Sequence, residues 1–393
     1  MSAVSAVSHR QPTRHRVATA AVFVAFGVVL GLWAAYLPVV KHAIGATSTM
    51  MGAVLLVLGV GAFLGMQISG YAVDRFGSGR VATLGVGAMA VTLVPPLILS
   101  TWLTVAASAL FLGLAVGIGE VGMNASAVEV ERGYRRPIMA SFHGMFSIGN
   151  VIGALLGVGA LAAGISVLAT AATATLIALA MCCAAAPTLV RRSTPYAATV
   201  ADGTTDGIEA PAAQSRWRLV VLGGLAFLLL LTEGSAMDWS SLHAQQHLGA
   251  TPSSGALALA CFVSAMTVGR FSIDRVAEHV GPVRVVRWGS LVCVTGLVVV
   301  TQATVLPIAC VGWILLGLGL AGCVPQVFTA AGNTPGASAT VLARVVGAGY
   351  LAVLAGPAVV GWLADTLSLN GAFILPIAAM VICAGAAKVV ARP

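Results

Sequence analysis

Gly70-Tyr71-Ala72-Val73-Asp74-Arg75-Phe76-Gly77-Ser78-Gly79-Arg80 closes a long apolar run, and Ile273-Asp274-Arg275-Val276 closes another 200 positions later. An Asp-Arg pair is costly at the edge of a hydrocarbon layer. A chain that places one at matching points in both halves reads as a duplicated bundle of membrane helices.

Composition points the same way. Hydrophobic residues are 59% of the chain and charged residues 8%, and mean hydropathy is +1.00. Soluble domains carry about 25% charged residues, so this is an integral membrane protein. A spanning helix takes ~20 apolar residues, which gives room for about a dozen spans. Runs such as Val54-Leu55-Leu56-Val57-Leu58 are continuous, unlike the alternating segments of a barrel. The predicted fold class is therefore all-α.

Apolar windows predict spans near 17–40, 49–72, 81–100, 102–127, 138–161 and 164–187, then 217–241, 254–273, 285–303, 305–330, 341–366 and 371–391. Residues 1–187 and 217–393 form two six-helix bundles. Residues 188–216, rich in Thr, Ala, Asp and Pro, form a linker that cannot bury itself. The +8 formal charge follows the loops and forms no stripe, so no nucleic-acid partner is expected. Of the 20 basic residues, only Lys41 falls on the side opposite the termini, which places both termini and the linker in the cytoplasm. The seven Cys all lie inside apolar runs without ligand spacing, so no metal site or disulfide framework is expected.

The spacing Gly70, Asp74-Arg75, Gly77 and Arg80 resembles the loop signature of the major facilitator superfamily. The resemblance implies a 12-helix fold of two pseudo-symmetric bundles, with the site between them near the midplane. It further implies that Asp74 and Arg75 act as a latch facing the N-terminus of span 11, whose amides are unpaired. Arg80 or Arg75 is expected to pair with Glu129 or Glu131. Arg270, Asp274 and Arg275 form a second copy that lacks the Gly77 spacing. The other reading of these loops is that they only stop and orient a helix.

Ionisable groups within hydrocarbon are functional candidates by default. Glu120 shares one helical face with Gly113, Gly117 and Asn124, a small and polar face suited to a water-filled cavity. This segment resembles span 4 of the fucose permease branch of sugar:proton symporters, which implies that Glu120 is protonatable and near substrate. That branch also has an acid in span 1, and no acid lies between Val17 and Val40 here. His143, Ser147 and Asn150 share a face of span 5, and depth matching suggests a Glu120–His143 proton relay. The alternative is a structural polar pair joining two helices.

Glu233 lies within Thr232-Glu233-Gly234-Ser235-Ala236-Met237-Asp238-Trp239-Ser240, a polar interruption predicted to break span 7. Trp239 offers a ring to a sugar or an organic cation. Trp33 and Tyr36 read equally as cavity aromatics or interfacial belt residues, and Gln326 follows Pro325 as in span 10 of the sugar branch. His243 and His247 read as a solvated rim. Gly149, Gly153 and Gly157 of span 5 and Gly356-Pro357 of span 11 suit close helix approach.

These features together lead to the expectation of a monomeric permease of a bacterial inner membrane, coupling a proton gradient to uptake of a small, sugar-like solute without a cofactor. The alternative is proton-driven efflux of a drug or metabolite. With no nucleotide loop, nucleophile constellation or metal cluster in the sequence, an enzyme is not expected.

Overall fold

The computed structural model describes residues 10–134, 136–190, 212–334 and 338–391. Among them every regular element is helical. Eleven helices are long and apolar enough to cross a membrane: Thr13–Ala43, Met50–Phe76, Ser78–Ile98, Trp102–Tyr134, Met139–Ala162, Val167–Val190, Arg216–Leu248, Ser254–Val280, Pro282–Gln302, Leu306–Gly332 and Ala339–Ala372. The shorter apolar helix Ile374–Val390 is the twelfth. They are numbered here as spans 1–12. Residues 191–211, most of the expected linker, lie outside the described residues.

Several helices outrun their apolar windows. Span 7 continues to Leu248, because the helical ladder persists past the hydrocarbon-length run into Gln245, Gln246 and His247. The expected break in span 7 is absent. Thr232 and Ser235 turn their hydroxyls onto the carbonyls of Leu228 and Leu231, so the polar stretch satisfies itself within an unbroken helix. The interruption falls in span 10, between Leu306–Leu320 and Cys323–Gly332. Pro325 sits in the first turn of the second piece, where a missing N–H costs no intrahelical bond.

The two half-sequences share their punctuation. Thr47 caps the start of span 2 by accepting from Met50 N, and Thr251 caps span 8 by accepting from Ser254 N. Span 2 ends at Gly77 with φ 86°, and span 8 ends at Gly281 with φ 81°. Both glycines occupy a conformation that costs an L-residue a Cβ clash. Gly77 lies three residues after Asp74, and Gly281 seven after Asp274. The second copy of the motif therefore keeps its glycine turn, placed one helical turn later.

The described chain forms two compact units. Among the described residues, unit 1 comprises 10–134, 145–190 and 338–344, and unit 2 comprises 136–144, 212–334 and 345–391. Phe23, Phe26, Leu32 and Tyr36 of span 1 are buried at the centre of unit 1. Phe262, Trp313, Phe328 and Phe373 are buried in unit 2. Spans 1 and 5 meet along glycines: backbone of Phe146 and Asn150 fills the space beside Gly27 and Gly31, and backbone of Val24 and Val28 fills that beside Gly149 and Gly153. Small residues let helix backbones approach closely where no hydrophobic drive exists in lipid.

Candidate functional site

In unit 1, Glu120 is 7% exposed and Asn124 fully buried. Asn124 Nδ2 donates to Glu120 Oε1 at 3.0 Å and to the Glu120 carbonyl at 2.9 Å, an i, i+4 link that holds the carboxylate along its own helix. The glycines of that face have a different task from the one expected. Gly113 and Gly117 lie directly against backbone of Leu58 and Ala62 in span 2, so the stripe is a packing seam. Glycine spacing alone does not distinguish a seam from a water-lined wall, because both need small side chains at the same helical interval.

Trp33 and Tyr36 are 5% and 0% exposed, which removes them from an interfacial belt. Tyr36 packs beside Gly157 of span 5. The hydroxyl of Tyr36 and Oδ1 of Asn124 are buried and have no hydrogen-bond partner among the described residues. Asn150 is half-buried, with its backbone pressed on Gly27 and Gly31.

In unit 2, Glu233 of span 7 and Arg270 of span 8 form an ion pair, Arg270 Nη2 to Glu233 Oε1 at 3.1 Å, with side chains 20% and 8% exposed. Arg270 thus sits in the polar interior of the unit, one turn before Asp274. The sequence signal for the pair was an Arg one turn inside the apolar limit of span 8, facing the acid at mid-depth in span 7. His143, 9% exposed, also belongs to unit 2, within electrostatic reach of Arg270 and with its ring 6.2 Å from that of Phe328. Gln326 is 3% exposed, and its Nε2 has no hydrogen-bond partner among the described residues.

The two Asp-Arg motifs place their carboxylates on helix starts. Asp74 Oδ1 accepts from Ala339 N at 2.7 Å, and its Oδ2 accepts from Thr340 N at 3.1 Å and Thr340 Oγ1 at 2.6 Å. Asp274 Oδ1 accepts from Ala140 N at 3.1 Å and Oδ2 from Ser141 N at 2.7 Å. Each carboxylate satisfies two amides that a helix N-terminus leaves open and lies at its positive end. Residues 338–344 consequently pack with unit 1 and 136–144 with unit 2. Gly70, one turn before Asp74, lies against Thr340 and Ala343.

The arginines of the motif do not make the expected pairs. Arg75 donates to Tyr71 Oη at 3.3 Å and Arg80 to the Phe76 carbonyl at 3.4 Å. Glu129 instead accepts from Ser78 Oγ at 2.8 Å. A serine at the start of span 3 reaches Glu129 from the turn itself, while the long arginines extend back along span 2.

Trp239 lies at the end of span 7 remote from the linker and packs on the buried cluster of Val360, Leu369 and Ala372. His243 is fully buried and its Nε2 is 2.9 Å from Asn370 Oδ1, so it is no solvated rim residue; only His247 of that pair is exposed.

A sequence profile of the Major Facilitator Superfamily matches residues 18–240. An uncharacterized MFS-type transporter of Yersinia pestis is 32% identical over 380 residues, 96% of both chains. Solved structures of FucP, described as the Escherichia coli fucose:proton symporter, superpose with TM-scores of 0.80 and 0.76 at 14% identity, covering 98% and 96% of this chain and 100% and 98% of theirs. The human organic anion transporter MFSD10 superposes with a TM-score of 0.71 at 18% identity, over 98% of this chain and 100% of that one. With twelve helices, duplicated Asp-Arg caps and these matches, the chain is a multi-pass membrane transporter and belongs to the Major Facilitator Superfamily.

Proposed function

We propose that this transporter takes up a small polar, sugar-like solute across a bacterial inner membrane, by alternating access and coupled to protons. The observation that carries the reading is the set of buried polar groups within the spans. Asn124 Oδ1, Tyr36 Oη and Gln326 Nε2 are hydrogen-bonding atoms without partners among the described residues. Each such atom costs about 1–3 kcal/mol, and a polyhydroxylated solute supplies donors and acceptors that offset this. The buried Glu120 and the half-buried Glu233 are the proton carriers in this reading, with His143 and Arg270 setting the charge around Glu233. The Asp74 and Asp274 caps act as latches, released in turn as spans 5 and 11 re-seat. The charge asymmetry of the loops supports cytoplasmic termini, and the protein works without a cofactor, as a monomer in the bilayer.

The test uses purified protein in liposomes loaded with a pH-sensitive dye, challenged with monosaccharides, polyols and lipophilic cations. Solute-dependent proton entry with a polyol, abolished by Glu120→Gln, supports the reading. Proton-driven accumulation that survives Glu120→Gln overturns the role of that acid. Proton movement elicited only by lipophilic cations overturns uptake in favour of efflux.

A further inference from the structure

Unit 2 contains a cavity of about 460 Å3 at the end of span 7 remote from the linker, apart from the polar groups discussed above. That volume lies within the range of roughly 300–1,000 Å3 typical of small-molecule sites. Two helix faces build it. Span 7 contributes Trp239, Leu242 and Gln246, at i, i+3 and i+7, and span 11 contributes Gly361 and Asp365, at i and i+4. A Cβ on Gly361 would meet Trp239 Cη2 at 3.5 Å, so the indole's six-membered ring lies over Gly361. Asp365 follows one turn further along the same face and lines the same cavity as the ring.

The floor is apolar and fixed, since Trp239 and Leu242 pack on Val360, Leu369 and Ala372. One wall is Ser368, which holds φ 70° and ψ 159°, a conformation that L-residues other than glycine rarely adopt. Such backbone outliers cost about 1–3 kcal/mol and cluster at ligand clamps. Here the turn at Ser368 carries Leu369 and Asn370 back against the cavity. The indole N–H of Trp239 is buried and has no partner among the described residues.

The charge of the lining selects the ligand. Asp365 is exposed and has neither a hydrogen bond nor an ion pair among the described residues; of the described lining residues His247 is the one basic side chain, stacked on His243, and none is Lys or Arg. Groups of three metal-ligating side chains are absent among the described residues, which disfavours a bare metal ion. A carboxylate and an indole lining one cavity over an apolar floor match an organic cation, through Coulomb attraction together with the negative face of the ring.

We propose that this cavity is a binding site for a small organic ammonium compound, whose charged head sits between Trp239 and Asp365. The test is calorimetric titration of the full-length protein in nanodiscs with tetramethylammonium and choline, against the neutral carbon isostere of choline. Saturable binding of the ammonium compounds is expected, weakened about tenfold or more by Asp365→Asn. Asp365→Glu, which keeps the charge, is expected to hold affinity within about threefold, and Trp239→Leu to weaken it about tenfold. Unchanged melting of each variant shows that the fold is intact; for a variant that melts early, the comparison of charged and neutral ligands on the unmodified protein decides. Equal affinity for choline and its neutral isostere overturns the proposal, as does choline binding that ignores Asp365→Asn or the absence of saturable binding. Binding of monosaccharides in place of ammonium compounds overturns it in favour of a polyol site. None of these readouts depends on transport, so failure here leaves the uptake reading untouched.

Discussion

Asp74→Asn removes the charge from the cap on residues 339–340 while keeping the shape of the side chain. Three donors converge on the native carboxylate: two amides and the Thr340 hydroxyl. Bonds to a charged acceptor are worth about 1.5–3 kcal/mol each, and three on one group do not add in full. Asparagine retains one acceptor oxygen but turns an NH2 toward donors that then have nothing to meet. The net loss comes to about 2–4 kcal/mol, including the lost attraction to the helix terminus. Local opening of this turn therefore rises roughly 30- to 1,000-fold. Amide hydrogen exchange reads this directly, because Ala339 and Thr340 exchange only when the cap opens. Peptides covering residues 338–344 are expected to lose protection by that factor, with the amides of Ala140 and Ser141 unaffected. Asp274→Asn is expected to do the converse, exposing the amides of Ala140 and Ser141 while those of Ala339 and Thr340 keep their protection. Unchanged protection at 339–340, or equal loss at both helix starts, would refute the reasoning.

Glu233→Gln removes the carboxylate that accepts from Arg270 at 3.1 Å and is expected to cost about 1.5–3 kcal/mol, seen as a lower melting temperature in detergent. The double variant Glu233→Gln with Arg270→Gln is expected to recover most of that loss while remaining inactive in proton-coupled uptake. Gly117→Ala drives a methyl into backbone of Ala62 and is expected to lower stability by more than about 2 kcal/mol. Gly133→Ala, with nothing within 4 Å of the new methyl, is expected to be neutral or slightly stabilising in the same melting assay.

The fold was legible because the bilayer imposes length and apolarity on every span, and those survive in a window average. The Asp-Arg motifs were legible for a related reason: charge at the hydrocarbon edge persists only where it has a partner. What the sequence concealed was pairing and direction. Thr232-Glu233-Gly234-Ser235 looked like a helix break, yet serine and threonine satisfy themselves on the preceding turn and glycine is tolerated once the neighbours pack. The break in span 10 at Ala321-Gly322 left only a glycine and a proline as its trace. The Gly113–Gly117 stripe was visible but ambiguous, since the identity of the facing helix decides between seam and cavity. Arg270 was grouped with the loop because it lies four residues from Asp274, and its pairing to Glu233 depends on how spans 7 and 8 pack. That choice is made by tertiary contacts between residues 37 positions apart in the chain.

The two copies of the motif, aligned by their 200-residue offset, differ most informatively one turn before the aspartate. The first copy has Gly70 there and the second has Arg270. A side chain at Gly70 is excluded because Thr340 and Ala343 occupy its place, so the first copy seats its capped helix by close backbone approach. At the matching point in the second copy, Arg270 turns to Glu233, and close approach shifts one residue onward, where the Phe271 ring lies against Gly144. One helix thus carries both the interior ion pair and the carboxylate that caps Ala140 and Ser141, a single turn apart. Span 2 has no charged residue at that point: Gly70 lets the capped helix approach closely, and Asp74 holds it by charged hydrogen bonds. The duplicated motif has therefore kept its carboxylate cap in both copies and diverged one turn before it, into a close backbone approach in the first and an ion pair in the second.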